Sequence, residues 1–220
     1  MVETADRRWC TVHIDEPTDS SGAIVFTFHP KGLQSKRGIG GTPGHAPRYV
    51  VRVRRTAEDL TLDWGATPDD PGAARPEMES EVRTRLNDRE AWIDRVSKLV
   101  DQVEVWGKDL GWATRRIDKR LDDSWIGTHV VPALLMQKET ARVLLEPVGR
   151  SAPGVDGIVD LYLMPAYDDI ASLYYYDGQW NLHYVRHGDA SVATIRDAAK
   201  EPLTSESLDR VLDEMIAHAA

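Results

Sequence analysis

Apolar positions recur along this chain with two different periods, and the switch between them predicts its elements. Over residues 77–108, Val82, Leu86, Ile93, Val96, Val100 and Val103 fall at three- and four-residue steps, with Trp92, Leu99 and Trp106 forming a second stripe at seven-residue steps. That spacing places them on one wide face of a helix. Glu77, Glu79 and Glu81 crowd its first turns, where the helix dipole favours anions, and Gly111 supplies a stop. A coiled-coil seam would need an apolar residue where Arg89 stands, so core packing is expected instead.

On both sides of this helix the period is two. Trp9 to Ile14, Ala23 to Phe28, Arg48 to Arg55 and Leu60 to Trp64 alternate as strands, with Tyr49, Val51 and Val53 on one face and Arg48, Arg52 and Arg54 on the other. Between them lies a glycine-rich loop, 31–47. A proline-rich stretch, 66–76, is the natural boundary between a β-rich region over 1–65 and a second domain over 77–220, although one single domain is also compatible with the pattern. After the helix, 130–137, 141–148, 158–164, 171–176 and 179–186 are strand candidates separated by short turns, which suits an antiparallel meander. Thr204 or Ser205 can cap a final helix over about 205–219, with Leu208, Val211, Leu212, Met215 and Ile216 on one face; a shorter helix near 190–199 is a further candidate. The fold class is therefore α+β: a mostly antiparallel sheet packed on a long central helix and a C-terminal helix.

The sharpest local signal is Tyr176-Asp177-Gly178-Gln179. Asp-Gly between alternating runs favours a two-residue type I′ turn, because both central residues need positive φ. The register follows: Tyr176 opposite Gln179, Tyr175 opposite Trp180, Tyr174 opposite Asn181, Leu173 opposite Leu182 and Ser172 opposite His183. One face is then Leu173, Tyr175, Trp180, Leu182 and Tyr184, joined by Val143, Leu145, Val159, Leu161 and Leu163. The other carries Tyr174, Tyr176, Gln179, Asn181, His183 and Tyr162 with the carboxylates Glu146 and Asp160. Hydroxyl-tipped aromatics are favoured at interfaces, so this second face is expected to contact a protein partner. Tyrosine is also simply a good β-former on a half-wet sheet.

Charge adds one feature. The chain of 220 residues is net −9, yet residues 28–55 hold seven bases and no acid. Within that segment Lys36, Arg37, Arg52 and Arg54 are candidates for contact with phosphate or nucleic acid, against the overall acidity that repels polyanions at long range. The alternative for such a run is pairing with acids elsewhere in the same protein.

Catalytic signatures are weak. Asp156, Asp160, Glu146 and His183 would be the residues of a metal-assisted hydrolase, but the strand after Asp160 lacks the acid-x-Lys pattern of restriction-endonuclease-like nucleases. Cys10 and His13, three apart in a strand, face opposite ways and make a poor nucleophile pair. Gly38 to Gly44 lacks the Gly-Lys-Ser/Thr ending of a phosphate-binding loop. One cysteine excludes an internal disulfide, no apolar window reaches membrane-spanning length, and Met1 to Arg8 lacks a signal-peptide core. The expectation is a noncatalytic cytoplasmic interaction or regulatory protein, an accessory subunit or adaptor, without cofactor or metal and without membrane contact.

Overall fold

The structure is a computed structural model, and it describes residues 9–15, 24–30, 49–55, 60–65, 75–165, 170–184 and 200–218. Eleven strands and two helices are described: β1 (Trp9–Asp15), β2 (Ile24–Pro30), β3 (Tyr49–Arg55), β4 (Leu60–Trp64), α1 (Arg75–Asp109), β5 (Ala113–Asp123), β6 (Gly127–Lys138), β7 (Ala141–Gly149), β8 (Ile158–Met164), β9 (Ile170–Tyr176), β10 (Gln179–Tyr184), β11 (Lys200–Pro202) and α2 (Ser205–His218). The architecture is α+β, with a four-stranded sheet in the order β1-β2-β3-β4 and a seven-stranded antiparallel sheet in the order β11-β10-β9-β8-β7-β6-β5. The 31–47 loop with Lys36 and Arg37, most of the 66–76 connection, and the 190–199 helix candidate lie outside the described residues.

The chain forms two compact units: residues 1–89 with 122–129, and residues 90–121 with 130–220. In the first, alternation on β2 and β3 buries Phe26, Phe28, Val51 and Val53 against Met78, Val82 and Leu86 of α1. Each such side chain contributes roughly 1.5–3 kcal/mol on burial. The same alternation leaves Arg52 and Arg54 exposed, as their spacing predicts.

Arg89, the residue that spoils a coiled-coil seam, has a specific use here. Its guanidinium donates to the carbonyls of Ile126 at 3.0 Å and Thr128 at 2.7 Å. One turn earlier Arg85, only 5% exposed, lies 4.0 Å from the Trp125 ring centroid, donates to the Trp125 carbonyl and pairs with Glu81 at 2.9 Å. Asp88 accepts from Trp125 Nε1 at 2.7 Å, and Asp123 Oδ1 accepts the Trp125 and Ile126 amides. A polar clamp thus closes over the β5–β6 turn where an amphipathic pattern alone predicts apolar contact.

In the second unit, Trp92, Val96, Leu99, Val100 and Val103 of α1 are buried. A Cβ placed on Gly157 would meet the rings of both Trp92 and Trp180 at 3.0 Å, so α1 covers the sheet face that carries Trp180 and Tyr175. Arg95 lies over the Tyr175 ring at 4.2 Å and donates to the Asp156 carbonyl. Gly111, with φ of +84°, ends α1 where the pattern predicts. Thr204 and Ser207 cap α2 reciprocally: the Ser207 amide donates to Thr204 Oγ1 at 3.1 Å and the Thr204 amide to Ser207 Oγ at 2.8 Å.

Two strands escape sequence periodicity. β5 reads Ala-Thr-Arg-Arg-Ile-Asp-Lys-Arg-Leu-Asp-Asp, charged on both faces. It is an edge strand, where charge is a common protection against unwanted pairing. Arg116 faces α1 and bonds Asp101 and Glu104, whereas Lys119 lies on the opposite side of the sheet. β11 is three residues long, below what any pattern reveals.

Candidate functional site

The Asp-Gly turn forms as its chemistry predicts, with φ of +52° at Asp177 and +77° at Gly178. β9 and β10 pair in the expected register, from Tyr176 opposite Gln179 to Tyr184 opposite Ala171. The neighbouring pairs carry that register across the sheet. Glu146 stands opposite Asp160, Asp160 opposite Ser172, Ser172 opposite His183, and His183 opposite Lys200. Five adjacent strands therefore place five polar side chains in one row, on the face away from Trp180 and α1.

The row is tied by short bonds. Ser172 Oγ donates to Asp160 Oδ1 at 2.5 Å, and Tyr162 OH donates to Asp160 Oδ2 at 2.9 Å. Lys119 of β5 reaches past β6 to Glu146, with Nζ 2.5 Å from Oε1. Burial pushes the Asp160 carboxyl above the usual aspartate range; the two hydroxyl donors oppose that shift and the Glu146 charge adds to it. His183 sits between two tyrosines: its ring centroid is 4.9 Å from Tyr174, edge-on, and 6.1 Å from Tyr176, whose hydroxyl is 3.3 Å from Nε2. Desolvation, and then the Asp177 charge, raise the Tyr176 phenol above its ordinary value. Asn181 Nδ2 donates to the carbonyls of Tyr176 at 3.4 Å and Gln179 at 3.2 Å, which braces the turn.

The expected docking face needs correcting. Tyr174 is 7% exposed, Asn181 5%, His183 5% and Ser172 4%. Tyr162 and Tyr176 are half-buried, and Gln179 alone of the six expected contact residues is exposed. Alternation sorted these residues onto one face correctly, and it sorted Val143, Leu145, Val159, Leu161 and Leu163 onto the buried one. What it does not report is whether a face is covered. At the β9–β10 end the second face is withdrawn from solvent, so Tyr174, Asn181 and His183 are interior residues.

Other candidates are dispersed. Asp156 is exposed in the turn before β8, and among the described residues no group of three or more His, Cys, Asp and Glu is arranged to hold a metal ion. The Ser172 hydroxyl is aimed at a carboxylate, not at an imidazole, which is the wrong order for a Ser-His-Asp relay. Arg54 lies 3.5 Å from Asp63, and Arg52 stands opposite the same aspartate, so part of the basic segment is balanced locally. Cys10 and His13 are in β1. Periodicity missed Lys119 and Lys200, which lie on the unrecognised strands β5 and β11.

No protein-family model matches the chain, and neither the curated proteins nor the solved structures compared with it give a match. No helix among the described residues is long and apolar enough to cross a membrane.

Proposed function

We propose that the chain is a noncatalytic cytoplasmic interaction protein, an accessory subunit or adaptor, whose protein partner docks on the open β6–β8 part of the large sheet. One observation carries this reading. Val130 of β6 and Val148 of β7, on neighbouring strands, are 44% and 46% exposed; among the described residues the other exposed large apolar side chain is Val105 of α1. Exposed apolar residues gathered on adjacent strands suit a contact surface better than scattered ones do. Half-buried Ile158 of β8, paired with Gly149 beside Val148, adds further aliphatic area.

The test is affinity purification from the native cell with chemical cross-linking. The wild-type chain retains a partner cross-linked near β6 and β7. The Val130→Lys/Val148→Lys variant loses it, while Arg52→Gln on the small sheet retains it. Equal recovery with the double lysine variant, or no partner with wild type, rejects the reading.

A further inference from the structure

Five described basic side chains of the second unit have acidic partners. Arg116 is held by Asp101 and Glu104, Lys98 by Asp94, Lys108 by Glu104, Lys119 by Glu146, and Arg210 by Glu201. Arg115 and Arg142 differ. Both are exposed, and among the described residues neither meets a carboxylate. They nevertheless line one cleft of about 350 Å³, together with Ala113, Thr114, Leu135 and Gln137. That volume is at the lower end of the range for small-molecule sites.

Topology explains the meeting. Arg115 is on β5 and Arg142 on β7, with β6 between them, and Gln137 of β6 stands directly opposite Arg142. Two strand spacings separate the cations by roughly 10 Å of backbone, close enough for both guanidinium heads to reach one group. Like charges held this near repel, and among the described residues nothing acidic lines the cleft to relieve them. A planar guanidinium matches the oxygens of a phosphate or carboxylate with paired N–H donors. Ala113 and Leu135 supply an apolar floor beside the two cations. A second cleft of about 440 Å³ shares Arg142 and Gln137 and continues to Glu139, Thr140, Met164 and Pro165.

We propose that this cleft binds a small organic anion, with its phosphate or carboxylate held between Arg115 and Arg142 and its apolar part lying on Ala113 and Leu135. The site is separate from the Val130–Val148 surface, and neither proposal depends on the other.

Isothermal titration of the full chain with phenyl phosphate, benzoate, inorganic phosphate and benzyl alcohol tests it. Phenyl phosphate or benzoate binds saturably, more tightly than inorganic phosphate, and neutral benzyl alcohol does not bind. The tighter of the two aromatic anions assigns the group as phosphate or carboxylate. Arg115→Gln and Arg142→Gln each weaken binding about tenfold or more, as loss of a charge-assisted pair requires. Arg83→Gln, at an exposed position of α1, leaves it unchanged. Circular dichroism checks that the variants, both at exposed positions, remain folded. Absence of saturable binding by either aromatic anion, or binding that survives both glutamine variants, overturns the proposal.

Discussion

Asp160 of β8 lies directly opposite Glu146 of β7, and the two carboxylates are treated differently by their surroundings. Glu146 has the Lys119 ammonium at 2.5 Å; among the described residues Asp160 has only the hydroxyls of Ser172 and Tyr162.

This asymmetry predicts a stability that depends on pH. The Asp160 pKa is raised in the folded chain, chiefly by burial, so the native state binds a proton more readily than the unfolded state. Its favourable contribution is fully present below the unfolded value, near pH 4, and is lost as pH rises through the raised folded value. Urea unfolding from pH 4 to 7 should show wild type losing stability relative to Asp160→Asn as pH rises. A constant difference between the two would contradict the assignment.

Glu104 gives the opposite sign. Hydrogen bonds from Lys108 and Arg116 lower its pKa to about 2. Its contribution is present above the ordinary glutamate value, near pH 4.3, and disappears as pH falls through about 2. Because these partners are partly solvated, Glu104→Gln should cost no more than about 1 kcal/mol at pH 7, and the cost should vanish in acid.

The β9–β10 turn provides a backbone test. Gly178 has φ of +77°, which an L side chain adopts at a cost, so Gly178→Ala should destabilise by about 1 kcal/mol. Asp177→Asn should be neutral or slightly stabilising, since Asn-Gly is the strongest two-residue hairpin pair. Denaturant midpoints with unchanged slopes would confirm both.

Arg85 tests the clamp over the β5–β6 turn. Its side chain is buried against Trp125 and paired with Glu81, so Arg85→Ala leaves a carboxylate and a carbonyl without their donor. A loss of about 3 kcal/mol in urea unfolding is expected. Arg83→Ala, at an exposed position two residues earlier on the same helix, should change stability by less than about 0.5 kcal/mol.

Periodicity anticipated α1 within two residues at its start and one at its end, and anticipated α2 within one. It did so because burying an apolar stripe demands a fixed spacing of side chains. It missed β5 because an edge strand charged on both faces carries no period-two hydrophobic signal. The polar row was legible only in part. Ser172 opposite His183 followed from the turn, whereas Lys119 could not be placed without knowing that β5 lies beside β6.

Turn chemistry and side-chain alternation, both local properties of the backbone, determined by themselves which residues of 171–184 share a face and which partners they meet. Coverage of that face was decided by the tertiary structure alone: solvent exclusion depends on elements distant in sequence, and the same alternating pattern serves a wet sheet and a buried one. Tyr174 and His183 are withdrawn from solvent, which the alternation does not report. The convergence of Arg115 and Arg142 on one cleft likewise arises only when β5, β6 and β7 are laid side by side.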